Sequence, residues 1–454
     1  MRLIWSAVKL VSYAIGFSGV TLFVLMKVFG LQIEMSGHGL GLPVVSFHDP
    51  DLHIEAIESR SAGPELAAAA GTGSTYWTDY RGPGRAGIYD ETRILTDWPE
   101  QGLTELWRTK VGGGYASMVV AEGRVFTIEQ RRKQEVVAAY DLSNGAQLWE
   151  HSWPGFFQEQ MGGNGPRATP TWHEGQIYAL GASGELRRLD AATGQKVWSK
   201  NILEDNGATN LMWGMSGAPL VVDDKLIVNP GGPGSNSIVA YDKDTGDEIW
   251  SSQGDPAGYA SPQLATLDGK RQVLVMTGTR VVSLDVEDGA LLWNVEWETD
   301  HQINAAQPLA VDEDHVWVSS GYGMGSGLLK ISGANVEQVW KSNSMKNKFN
   351  SSVLYQGHVY GLDDAIFACI DVRTGERKWK GGRYGFGQVL LAAGHVIVLT
   401  EQGEVVLLKA TPESHQELAK FSALSGKTWN VPAIAEGKLL VRNQTEMVAY
   451  DLAP

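Results

Sequence analysis

One phrase recurs along this chain and constrains its fold more than any other feature. It reads apolar-x-apolar-Asp, three residues, Gly, three residues, Trp. Full copies are AAYDLSNGAQLW ending at Trp149, RRLDAATGQKVW at Trp198, VAYDKDTGDEIW at Trp250, VSLDVEDGALLW at Trp293 and ACIDVRTGERKW at Trp379. A worn copy, LLKISGANVEQVW, ends at Trp340, and VVLLKATPESHQELAKF, ending at Phe421, has lost both Gly and Trp. Each copy predicts a hairpin. The apolar segment is a strand, and Asp opens a tight turn by accepting amides two or three residues on. Gly supplies the positive φ that such a turn needs. Trp, on the next strand, fills the gap against a neighbouring sheet.

With Trp107 in LTELWRTKV, the anchors fall at 107, 149, 198, 250, 293, 340 and 379, then Phe421, spaced by 42, 49, 52, 43, 47, 39 and 42 residues. A period in the forties with about four short strands per unit is the mark of a β-propeller. Upstream of each hairpin a second pattern repeats: a small or polar residue, often Pro, then a short apolar strand, a Gly or Asp turn and another strand. GAPLVVDDKLIV, QPLAVDEDHVWV and VPAIAEGKLLV are examples, and SMVVAEGRVFTI completes a set of eight. Proline is tolerated there if this strand is innermost, with a free edge on the channel. The expected fold is all-β, an eight-bladed propeller of four-stranded blades. The last blade takes three strands from residues 429–451 and its fourth from the N-terminal side, near 104–111. A seven-bladed ring with one miscounted unit is the alternative, and the end-to-end closure favours eight.

These residues resemble the PQQ-like β-propeller repeat family, the quinoprotein alcohol dehydrogenase-like superfamily, over roughly Tyr76 to Asp451. Its Asp-x-x-Thr-Gly-x-x-x-Trp unit stands intact at Asp190–Trp198, Asp242–Trp250 and Asp371–Trp379. The leader YWTDYRGPGRAGIYDETRILTDWPEQGLTELW is also similar to the entry segment that precedes many such propellers. The resemblance implies one of two activities. Quinoprotein dehydrogenases hold PQQ with a metal ion such as Ca²⁺, using an Asp base, a metal-binding Glu and Asn, a Trp floor and in many cases a vicinal disulfide. Cys369 is the single cysteine here, so that disulfide cannot form, and no residue matches the Asp base or the metal Glu by position. BamB-like propellers are non-enzymatic scaffolds. This chain departs from them in lacking a lipid-attachment cysteine.

Residues 10–26, LVSYAIGFSGVTLFVLM, carry no charge and are bracketed by Lys9 and Lys27. With the apolar residues on either side they are long enough for a membrane-spanning helix. No small-x-small cleavage site follows, so an uncleaved anchor over residues 1–31 is expected rather than a signal peptide. Arg2 and Lys9 place the N-terminus inside. The chain is then a single-pass protein of the inner membrane with its propeller on the periplasmic side. Residues 32–75 read as a flexible linker, and 76–454 as the propeller. The formal net charge is −15 over 454 residues, which argues against nucleic acid as a partner.

Residues just before each innermost strand converge on one mouth of the channel. In order they include Tyr115, Arg167, Trp213, Tyr259, His301, Asn304, Lys346, Asn347, Phe386 and Trp429. This aromatic, amide-rich set with two cations suits a planar anion or an extended peptide. The plainer reading is a solvated funnel whose aromatics cap the blades. Asp300-His301 reads as surface, and GYGMGSG at 321–327 and GGPGSNS at 231–237 read as blade turns. Cys369 reads as core, and no metal-ligand spacing is found. The preferred function is a non-catalytic binding module for an envelope protein or peptide, with no cofactor. A PQQ- and Ca-dependent dehydrogenase and a small-anion or peptide sensor are the alternatives.

Overall fold

The computed structural model describes residues 31–34, 44–47, 52–59, 73–159 and 162–454. Eight antiparallel blades close into a ring, as the repeat count predicts. From inside to outside, blade 1 is Val119–Ala121, Arg124–Arg131, Gln134–Asp141 and Gln147–Pro154. Blades 2 to 7 start with the innermost strands Thr171–His173, Leu220–Val222, Gln263–Leu267, Leu309–Ala310, Val353–Tyr355 and Gln388–Ala392. Blade 8 takes Ala433–Ala435, Lys438–Arg442 and Glu446–Asp451 from the C-terminal end and Glu105–Lys110 from the N-terminal side.

The repeated phrase turns out to join blades. In five places the Trp of one blade lies on the turn of the next, and its Nε1–H donates to the carbonyl just after the turn Asp. The bonds are Trp107 to Leu142 (2.9 Å), Trp149 to Ala191 (3.1 Å), Trp198 to Lys243 (3.2 Å), Trp250 to Val286 (3.1 Å) and Trp340 to Val372 (3.0 Å). The turn Gly lies beneath the ring: a Cβ added at Gly194 would meet Trp149 at 2.5 Å. Asp organises the turn as expected, Asp190 accepting the Thr193 amide at 2.8 Å and Asp371 those of Arg373 and Thr374 at 2.9 and 3.0 Å. In every blade the pairing of the two outer strands shifts register beside the anchor position. The bulge puts the residue before Trp out of the ladder; there Leu106, Val197, Ile249 and Val339 are exposed, whereas Leu148 of blade 1 is buried.

Two departures explain the worn copies. Blade 5 has lost the Asp of its turn, and Trp293 of blade 4 donates instead to Gln272 Oε1 of its own blade at 2.7 Å. In blade 7 the register pairs Leu407 with Ala419, so Ala419 occupies the anchor position that the spacing assigns to Phe421. Phe421 lies two residues further along. It packs edge-on to Tyr450 at 5.0 Å and to Trp98 at 5.9 Å, and covers Gly102. Blade 8 has no hairpin there because the two chain ends meet, and Gly102 supplies the small residue.

Ring closure is also ionic. Arg442 of blade 8 is fully buried and donates to the carbonyls of Gly112 (2.9 Å) and Ile128 (3.4 Å) and to the Thr127 hydroxyl. Glu129 accepts from Tyr140 (2.6 Å), Arg131 (3.1 Å) and the Gly112 amide. Burial alone would raise the Glu129 carboxyl, but the Arg131 and Arg442 guanidiniums outweigh it and hold the group below its ordinary value.

The candidate membrane anchor lies outside the described residues, and no described helix is long and apolar enough to cross a membrane. The stretch read as a flexible linker contains more order than its composition suggested. Leu31–Glu34 pairs with Val44–Phe47, and a helix, α1 (Leu52–Glu58), buries Ile54 and Ile57. Glu58 receives two bonds from Arg132 on blade 1, at 2.7 and 2.9 Å. A single three-residue apolar spacing in α1, Ile54 to Ile57, is too short a signal to separate from loop.

Two outcomes test this account. Gly194→Ala should lower the unfolding free energy by about 2–4 kcal/mol, because alanine is strained at φ +72° and its methyl meets the Trp149 ring; urea midpoints measure it. Glu129→Gln should destabilise at neutral pH. A carboxyl with a lowered folded pKa stabilises above its unfolded value of about 4.3 and ceases to do so as pH falls through the folded one. The gap between variant and native chain should therefore narrow on acidification, read as urea midpoints at neutral and acid pH.

Candidate functional site

The floor of the channel comes from the leader segment. Val120 of blade 1 donates to the Trp77 carbonyl (2.8 Å) and Trp172 of blade 2 to that of Thr78 (2.9 Å). Arg85, 1 % exposed, donates to Ala218 (3.0 Å), Pro219 (2.7 Å) and Pro262 (2.6 Å), bridging blades 3 and 4, and is paired with Asp79 at 2.8 Å. Arg81, also 1 % exposed, donates to Ser351 (3.2 Å), Ser352 (3.0 Å) and Val389 (3.2 Å), bridging blades 6 and 7. Ile88–Tyr89 then pairs parallel to the innermost strand of blade 7. The leader is thus a plug whose arginines satisfy carbonyls that the innermost strands leave unpaired. Planar guanidinium forks suit this, each reaching several acceptors at once.

At the mouth the aromatics form a connected surface. Trp429 lies 5.2 Å from Tyr115 and 4.6 Å from Phe349, and Phe349 lies 5.3 Å from Phe386. Trp213 and Tyr259 form a second pair at 5.9 Å. Three cations lie over these faces. Arg167 is 4.5 Å from the Phe157 ring and 5.6 Å from Tyr115. Lys427 is 4.4 Å from Trp429 and 5.8 Å from Tyr115. Lys348 is 4.5 Å from Phe386 and 5.5 Å from Tyr322. Arg167 is held by the carbonyls of Gly163 (2.6 Å) and Gly165, and burial pushes its pKa down to about 10, which keeps it charged at neutral pH.

Of the residues expected at the mouth, Tyr115, Arg167, Trp213, Tyr259 and Trp429 belong to these aromatic and cationic groups. Asn304 and Asn347 are buried locks. Asn304 donates to Thr277 (2.9 Å) and Trp297 (2.7 Å), and Asn347 to Leu362 (3.0 Å). Their amides hold loops and present nothing to a ligand. Lys346 pairs with Asp364 (2.9 Å) and Asp363 (3.4 Å). His301 is exposed on a one-turn 3-10 helix at φ 65°. Tyr322, Lys348, Phe349 and Lys427 were missed as candidates. Tyr322 comes from a turn between the second and third strands, and the others flank singled-out residues, so a search that selects a few residues before each innermost strand passes over them.

A PQQ and Ca²⁺ centre requires carboxylates that converge, and the buried ones at this end do not. Glu401 accepts Trp429 Nε1–H (3.0 Å) and the Phe386 amide (3.3 Å). Glu135 accepts Trp153 Nε1–H (3.0 Å) and the Ala182 amide (2.8 Å), and burial raises its pKa. Asp363 is paired with Lys380 (2.6 Å), Asp255 with Arg280 and Glu129 with Arg131. Among the described residues the one trio able to share a metal is Asp312, Asp314 and His315, on the first turn of blade 5 at the opposite end. Asp312 is there bonded to Arg373 and to His315 Nδ1 at 3.0 Å. Among the described residues, the buried carboxylates at the mouth do not converge on one position where the metal of a quinoprotein centre would fit.

A family model described as outer membrane protein assembly factor BamB matches residues 67–215 and 213–381. The chain belongs to this family of PQQ-like propellers. Among curated proteins, quinohemoprotein alcohol dehydrogenase ADH-IIG of Pseudomonas putida is 29 % identical over 186 residues, 37 % of this chain and 25 % of the relative. BamB of Yersinia pestis is 22 % identical over 286 residues, 60 % of this chain and 70 % of the relative. The chain thus spans about a quarter of the length of that dehydrogenase. In fold it is similar to the solved ADHIIG of P. putida HK5 (TM-score 0.59, 15 % identity, covering 87 % of this chain and 82 % of that one). It is likewise similar to BamB from Moraxella catarrhalis (TM-score 0.52, 16 % identity, 76 % and 98 %).

Arg85→Ala should unfold at lower urea, by about 3 kcal/mol, since it strands buried carbonyls and Asp79 together. Arg85→Lys should recover little of the loss, because an ammonium cannot span the acceptors of two blades.

Proposed function

We propose that this protein is a non-catalytic propeller of the cell envelope that holds a partner protein at its mouth. It would be tethered to the inner membrane by residues 10–26, with the ring on the periplasmic side. The observation that carries the reading is the state of the mouth carboxylates. Each buried one described above is tied to a protein donor, while half-buried aromatic faces and stacked cations lie at the surface. Such a surface suits recognition more than proton or hydride transfer. The plug supports it too, because it stiffens the ring by bridging blades, as a scaffold requires. Relatives named as outer membrane assembly factors that are matched over most of their length point the same way.

The dehydrogenase reading is supported by partial matches to quinohemoprotein alcohol dehydrogenases, 29 % identical over 186 residues in one and 30 % over 156 in another. Titration of the full chain with PQQ, with and without Ca²⁺, separates the two. Trp fluorescence should show no Ca²⁺-dependent saturable quenching, and simple alcohols should reduce no dye. Tight metal-dependent quenching with turnover would overturn the scaffold.

A further inference from the structure

The turn beneath the Trp107 ring carries a chemistry of its own. Among the five full copies of the repeated phrase, that of blade 1 alone has Asn before its Gly. Asn144 is exposed and Gly145 is buried. The Asn144 side-chain oxygen accepts the Ala146 amide at 2.8 Å. That bond polarises the side-chain carbonyl and holds it beside the peptide link to Gly145, whose nitrogen is the nearest nucleophile.

The other turns show what this position requires. Thr193, Thr245 and Thr374 make the same bond through their hydroxyls, to the amides of Gln195 (3.3 Å), Asp247 (3.2 Å) and Glu376 (3.2 Å). Asp288 makes it through a carboxylate, to Ala290 at 2.9 Å. The turn therefore needs an acceptor, and a hydroxyl or carboxylate serves as well as an amide. Two further Asn-Gly pairs are not set up in this way. Asn164-Gly165 is followed by Pro166, which has no N–H to give. Asn206 is 3 % exposed, and its amide nitrogen donates to the Ile202 carbonyl and the Tyr241 hydroxyl, both at 2.8 Å.

The joint between blades 8 and 1 guards the pair. Gly145 N–H donates to the Asp141 carbonyl at 2.8 Å, and a Cβ on Gly145 would meet the Trp107 ring at 2.5 Å. Attack requires that N–H to be released, so ring and turn have to part first, by local opening.

We propose that Asn144 is a deamidation site controlled by this joint, and that its isoaspartyl product keeps the joint from re-forming. Base takes the Gly145 amide proton, the nitrogen bonds to Asn144 Cγ, and the Cγ–Nδ2 bond breaks with loss of ammonia. Water then opens the cyclic imide. Cleavage at Cγ leaves a normal aspartate, the residue that blade 4 carries here as Asp288, where Trp250 of blade 3 still reaches Val286 at 3.1 Å. Cleavage at the main-chain carbonyl routes the backbone through the side chain, one carbon longer, and the turn no longer fits between Asp141 and the Trp107 ring. The net change is amide and water to carboxylate and ammonia, with no oxidant or reductant. It is independent of what the mouth binds.

The test incubates the full chain in detergent at mildly alkaline pH, with and without sub-denaturing urea. Peptide mapping by mass spectrometry then distinguishes isoaspartate from aspartate. Isoaspartate should accumulate at Asn144 before any change at Asn164 or Asn206, and faster in sub-denaturing urea. Trp107→Phe, which loses the bond to Leu142, should raise the rate severalfold. Asn144→Thr should stay unmodified and keep the native urea midpoint, whereas the isoaspartyl fraction should unfold at lower urea than Asn144→Asp. No reaction at Asn144, earlier reaction at Asn164 or Asn206, a rate unmoved by urea, or an isoaspartyl fraction as stable as Asn144→Asp would overturn the proposal. If Trp107→Phe does not fold, the urea dependence of the native chain decides whether the joint controls the rate.

Discussion

The indole-to-turn contact between neighbouring blades is the interaction on which the rest of this molecule depends. A blade of four short strands cannot cover its own faces, and its outer strand is a liability unless something holds it to the next blade. One Trp does so twice: its ring covers a turn glycine and its N–H satisfies a carbonyl that the turn leaves free. Asp, Gly and Trp recur together because they are parts of one joint contributed by two blades. Where the joint is broken, compensation is local. Trp293 turns to Gln272 of its own blade, and Phe421 fills the space at the seam where the chain ends replace a hairpin.

The seam and the channel are secured by buried arginines. Arg442 fastens blade 8 to blade 1, while Arg81 and Arg85 tie the leader to blades on both sides of the ring. Buried charge is costly, and these guanidiniums are tolerated because most of their N–H groups meet carbonyls or carboxylates already in place. With the leader as a floor, the accessible part of the channel is the mouth. Its buried carboxylates described here hold side chains and loops, and its surface carries aromatic faces and stacked cations.

Much of the fold was legible because it repeats. Spacing of Trp107, Trp149 and their successors counted the blades, and the strand near 104–111 was identifiable as the missing member of blade 8. The site was legible in part. Position before the innermost strand picked out Tyr115, Arg167, Trp213, Tyr259 and Trp429, but it picked out Asn304 and Asn347 equally, and these are sealed loop locks. Which way a side chain points within a loop is set by the carbonyls around it, and those belong to segments far away in the chain. Lys348 and Lys427 escaped for the same reason, since only the rings they lie over distinguish them from other surface lysines.

By itself the sequence determined the propeller, its blade number, the hairpin chemistry of each repeat and the terminal closure, since all of these follow from short-range patterns copied many times. Tertiary structure alone decided that Trp acts on the adjacent blade, that Ala419 rather than Phe421 takes the anchor register, that the leader plugs the channel, and which mouth residues meet. Those outcomes depend on where chain segments tens to hundreds of residues apart come together. Arg81 and Val389, bonded at 3.2 Å, are an example that no local pattern encodes.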